Sequence, residues 1–131
     1  MSAKTRVIKV DSRHYIKVHV WDTLAELRKA GRKDGDGTSW RTTVAFFRSK
    51  RISIAPTLRP VTRVLTNYVG DIHLAKGRYD GAVFAHEFQH FISHWIDVAG
   101  LEPTGKDWEN VAHIAGRMTG SFWTWHHAGL K

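Results

Sequence analysis

The sequence predicts an α+β domain in which a small, mostly antiparallel sheet packs against two long helices. Three observations carry that expectation. Apolar residues in the first half tend to alternate, as strands require, whereas beyond Asp80 they recur at three- and four-residue steps, as helices require. The order is strands, a small helix, strands and then two long helices, which argues for an α+β domain. The length of 131 residues fits one domain, since single cores are usually built from about 100–150 residues. The expected organisation is one domain over 1–131, with a strand-rich half at 1–79 and a two-helix half at 80–131.

In chain order, residues 5–20 place Val7, Ile8, Val10, Ile16, Val18 and Val20 among polar neighbours, which reads as one or two strands turning near Asp11 and Ser12. Residues 22–30 contain good helix formers after Asp22, a candidate cap, and stop at Gly31, so a short helix with Leu24, Leu27 and Ala30 on its apolar face is expected. Residues 31–39 have no apolar side chain and three glycines, the signature of an exposed loop. Residues 42–47 are β-branched and aromatic, a strand that Ile52, Ser53 and Ile54 continue or pair with before Pro56 and Pro60 interrupt. Residues 61–68 and 71–75 read as two further strands separated by Gly70.

Phe84, Phe88, Phe91, Trp95 and Val98 then mark one face of a helix that Asp80 can cap and that Gly100 follows. A second helix is expected to start near Thr104 or Asp107, with Trp108, Val111, Ala112, Ala115, Met118, Phe122 and Trp125 as its stripe. Ala112, Ala115, Gly116 and Gly120 are small, and the expectation is that they let this helix lie close against the preceding one.

Composition narrows the chemistry. The chain has no cysteine, which removes disulfides, thiolate metal sites and cysteine nucleophiles together, so a metal would have to be held by His, Asp or Glu. No stretch approaches the roughly 20 apolar residues that span a bilayer, and the expected setting is cytoplasmic, without a membrane. Twenty Lys and Arg against twelve Asp and Glu give a net charge of +8, which reads either as a solvated basic face or as long-range attraction for an acidic or nucleic-acid partner. No helix-turn-helix or aromatic RNA-binding motif accompanies that charge.

Residues 86–90 read His-Glu-Phe-Gln-His, an HExxH sequence inside the strongest helical segment. Four residues are just over one helical turn, so His86 and His90 project from one face and can aim ring nitrogens at one ion. Glu87 lies beside them, able to act on a water molecule as catalytic base without being a ligand. Catalytic zinc usually takes a third protein ligand. Ser93 and Ile96 stand where a metzincin needs glycine and histidine, so that pattern fails. Glu109 follows His90 with eighteen residues between them, and this HExxH-x18-E spacing resembles that of aminopeptidase-type gluzincins.

The likeness covers roughly the last 65 residues: residues 70–77, the HExxH helix, and the Trp108-Glu109-Asn110-Val111-Ala112-His113 segment together resemble small zincin-like proteins encoded by bacteriophages and prophages. The resemblance implies a minimal zincin-like fold and a zinc metallopeptidase. It gives His86, His90 and Glu109 as metal ligands, Glu87 as catalytic residue, and the strand Ile72, His73, Leu74, Ala75 as an edge that pairs with a protein or peptide substrate. The location it implies is the host cytoplasm or the virion. His113, one turn after Glu109, is a candidate partner for that ligand or an oxyanion donor. The competing reading is a zincin-fold phage structural or accessory protein that binds a protein or nucleic acid without turnover.

Overall fold

The computed structural model describes residues 3–32, 43–49, 52–54, 61–63, 67–101 and 105–130. In chain order they form β1 (Ala3–Lys9), β2 (Tyr15–Trp21), α1 (Leu24–Arg32), β3 (Ala45–Ser49), β4 (Ile52–Ile54), β5 (Val61–Arg63), β6 (Tyr68–Ala75), α2 (Gly81–Ala99) and α3 (Lys106–His127). The α+β class is as expected. Most of the loop expected at 31–39 lies outside the described residues.

The main sheet has the order β1-β2-β6-β3, and β4 pairs with β5 in a separate antiparallel ribbon. The pairings β1–β2 and β3–β6 are antiparallel, whereas β2–β6 is parallel, so the sheet is mixed. A parallel neighbour needs a crossover, and α1 lies in the connection from β2 to β6. The turn between β1 and β2 is held by Asp11, whose Oδ1 accepts from the backbone N–H of Arg13 and of His14, both at 2.7 Å.

Two boundaries differ from expectation for local reasons. The cap of α1 is Thr23 rather than Asp22, its Oγ1 accepting from the N–H of Glu26 at 3.2 Å, and the helix runs through the buried Gly31. Gly70 does not break a strand but lies inside β6. A Cβ there would stand 2.6 Å from the carbonyl oxygen of Arg48 and 3.0 Å from the Phe47 ring, so glycine is what permits β3 to approach.

Because side chains alternate across a strand, the register divides the sheet into two unlike faces. Ile8, Ile16, Val18, Val20, Ile72, Leu74 and Phe47 share one face and build the core with Phe84, Phe88, Phe91 and Trp95 of α2 and Met118, Phe122 and Trp125 of α3. Lys17, His19, Phe46, Arg48, Asp71 and His73 share the other face, over which α1 packs on β2 and β6. At roughly 25 cal/mol per Å² the apolar face dominates stabilisation. The polar face has to satisfy its groups by hydrogen bonding.

Candidate metal centre on helix α2

Helix α2 is terminated at both ends by its own sequence. Asp80 caps the start, its Oδ1 accepting from the N–H of Val83 at 2.9 Å, and Gly100 ends it in a left-handed conformation (φ 66°) with its N–H bonded to Asp97. Phe84, Phe88, Phe91 and Trp95 bury one face against the sheet and α3. That fixes the rotation of the helix, and the motif residues fall where the period leaves them: Glu87 buried beside β3, His86 and His90 exposed.

His86 Nε2 and His90 Nε2 are 3.3 Å apart. A tetrahedral zinc ion with bonds of about 2.0–2.1 Å holds its ligand nitrogens about 3.3 Å from each other, so the pair already has the spacing of two zinc ligands. Glu87 completes the group, its Oε2 3.9 Å from His86 Nε2. Burial raises the Glu87 carboxyl above its ordinary range, against the opposing pull of His86, His90 and the backbone N–H of Phe47. The Phe47 contact ties Glu87 to β3.

The expected edge strand is corrected. Ile72, His73, Leu74 and Ala75 lie in β6, which is paired on both sides, with β2 and with β3. The strand that borders the motif with a side not paired to any described strand is β3, and α2 packs across it. The expectation failed because a strand's place in a sheet depends on which distant segment pairs with it, which local pattern does not encode.

Glu109 is also not where spacing alone would put it. Val111, Met118, Phe122 and Trp125 are the buried face of α3, and Glu109 and His113 lie on the opposite, outward face. Both are 76 % exposed, with His113 Nε2 3.2 Å from Glu109 Oε1, and Glu109 is not part of the group formed by His86, Glu87 and His90. The close packing expected of Ala112, Gly116 and Gly120 is absent as well. These residues are exposed, and a Cβ at either glycine meets nothing within 4 Å. Trp108, expected in the apolar stripe, is 51 % exposed. His113 does touch Glu109, as a partner of that residue would, but from this outward face.

A second constellation lies on the polar face of the sheet, where sequence reading had seen only a strand. His19 Nε2 donates to Asp71 Oδ1 at 2.6 Å, Tyr68 Oη donates to the same oxygen, and Thr5 Oγ1 lies 2.9 Å from His19 Nδ1. Trp21 Nε1 donates to His73 Nδ1 at 3.0 Å. Burial would raise the Asp71 carboxyl, but the bonds from His19 and Tyr68 outweigh it and hold the group below the usual carboxylate range. Burial, with the charge of His19, pushes the His73 imidazole down to about 3. No local pattern in the sequence signals this cluster: His19 and His73 face each other only because β2 and β6 run parallel.

Family-model, curated-protein and solved-structure comparisons give no match for this chain. Among the described residues, no helix is long and apolar enough to cross a membrane.

Proposed function

We propose that the chain is a zinc-dependent peptidase with a minimal zincin-like architecture, probing extended peptides along β3. The observation that supports this most directly is the 3.3 Å separation of His86 Nε2 and His90 Nε2 beside a buried carboxylate. Two imidazoles at that spacing suit zinc, and the buried carboxylate of Glu87 beside them is placed to act as a base on water. Zinc held there supplies a Lewis acid and lowers the pKa of water toward about 7. Glu87 accepts the water proton and returns it to the leaving amine. β3, at the end of the order of described strands, would be the strand along which an extended substrate lies.

In this reading Glu109 remains the third ligand, and binding has to draw the first turn of α3 inward. The N-cap of that helix is Gly105, with no side-chain cap hydrogen bond. An exposed i,i+4 pair such as Glu109–His113 is worth about 0.3–0.5 kcal/mol, so that pair by itself does little to hold Glu109 outward. A phage or prophage origin, in the host cytoplasm or the virion, belongs to the same proposal.

The alternative, a non-catalytic binding protein, is favoured by one observation. Glu87 lies within ligand distance of the two histidines, so it could close the site as a ligand and leave no base. Zinc-dependent cleavage of an unstructured peptide pool, lost in His86→Ala together with His90→Ala, is the expected result for the peptidase. Zinc binding without cleavage of any peptide in that pool would favour the alternative.

A further inference from the structure

We propose a second metal site, on the opposite face of the sheet, in which His19, Asp71 and His73 hold a divalent first-row transition-metal ion. One ligand atom from each residue lies within 4.8 Å of the others. Asp71 and His73 are two apart on β6, and His19 is the direct cross-strand partner of His73, so the register aims all three from one face. The two rings are stacked, centroids 4.7 Å apart and 21° from parallel, and Phe46 stacks on the other side of His73 at 4.3 Å. Two stacked rings and one carboxylate make an N₂O donor set.

The donor set selects the ion. Two imidazoles suit zinc, iron, nickel or copper, whereas magnesium and calcium prefer oxygen. Three protein ligands leave coordination positions open to water or a small anion. His19 and Asp71 side chains are 17 % and 13 % exposed, so an ion from solvent can reach them. Lys17 and Arg48, the register neighbours of Asp71 on either side, oppose a cation and make the site weaker than an uncharged surround would.

The hydrogen bonds show what an ion must displace. His19 Nε2 shares a proton with Asp71, and an ion would take that proton's place. For a neutral His19 that donates from Nε2, this proton moves to Nδ1, where Thr5 Oγ1 accepts from it and orients the ring. Trp21 competes directly, because its N–H occupies His73 Nδ1 and keeps the ring proton on Nε2. Coordination by His73 therefore breaks the Trp21 bond, and removing Trp21 should favour the metal.

This proposal does not rest on the peptidase reading, and the test removes the α2 site. In a chain carrying His86→Ala and His90→Ala, calorimetric titration with Zn²⁺ and with Co²⁺ is expected to show one saturable equivalent, and Mg²⁺ none. Adding Asp71→Asn or His19→Gln should weaken it at least tenfold, and adding Trp21→Phe should tighten it severalfold. Imidazole NMR signals in the His86→Ala, His90→Ala chain give a readout that needs no further substitution: Zn²⁺ should shift those of His19 and His73. Absence of saturable binding, or binding that leaves those two signals unmoved, would overturn the site. Unchanged or weaker binding with Trp21→Phe would remove His73 from it.

Discussion

Helices α2 and α3 have similar lengths and each carries an apolar stripe, yet they relate to the proposed site in opposite ways. In α2 the aromatic stripe sets the rotation, and His86, Glu87 and His90 follow from it as one group. In α3 the stripe of Val111, Met118, Phe122 and Trp125 sets the rotation too, and it turns Glu109 outward. Spacing inside one helix is geometry. Spacing between two helices is a hypothesis about how the second is turned about its own axis. The caps reinforce the contrast, since Asp80 and Gly100 fix both ends of α2 while α3 begins without a side-chain cap.

The largest expected effect falls on α2. His86→Ala and His90→Ala should each lower zinc affinity at the α2 site by orders of magnitude and reduce the zinc-induced rise in melting temperature, because a ligand that binds only the native state adds to its stability. Melting curves with and without zinc check this. A zinc-induced rise equal to that of the unsubstituted chain would break the assignment of α2.

Glu109→Ala sharpens the comparison from the other side. If zinc draws the first turn of α3 inward, affinity at the α2 site should fall at least tenfold, as calorimetry would show. Unchanged affinity would mean that the outward rotation persists with metal bound and that Glu109 is no ligand.

Gly70→Ala probes the strand to which Glu87 is tied. A methyl group placed 2.6 Å from the Arg48 carbonyl and 3.0 Å from Phe47 must push β3 off β6, costing about 1–3 kcal/mol as overpacking does. Chemical denaturation measures it. A loss below about 0.5 kcal/mol would show that β3 is not held at this distance.

The smallest effect concerns Asp11. Burial acts to raise its carboxyl, but the N–H groups of Arg13 and His14 and the His14 ring together hold it low. A depressed folded-state pKa contributes stability above the unfolded value near 4, lost as pH falls through the folded value. Asp11→Asn should therefore lower the melting temperature slightly at pH 6, and the difference from the unsubstituted chain should shrink toward pH 3. A difference that grows on acidification would reverse the sign.

Much of this was legible in the sequence, for identifiable reasons. Helix α2 carries its own start and stop signals and a period that fixes its faces, so both its limits and the grouping of His86, Glu87 and His90 could be read directly. The turn at Asp11 was legible because its bonds span three residues. The place of β6 was not: a parallel partner more than fifty residues away puts Ile72 to Ala75 inside the sheet and leaves β3 beside the motif. The stripe of α3 was misassigned by including Trp108 and Ala112, which shifted its face toward Glu109. The cluster of His19, Asp71 and His73 was invisible for the same reason as β6, since it exists only across a long-range pairing.

The central claim is that α2 presents two zinc-binding histidines and a glutamate that acts on water without holding the metal. Glu87→Gln tests it most directly, with zinc content at the α2 site and the rate of peptide cleavage measured on the same sample. The account predicts that zinc is retained while cleavage slows at least about a hundredfold, in the range general-base catalysis contributes. Loss of zinc from that site, or cleavage at the unsubstituted rate, would contradict it.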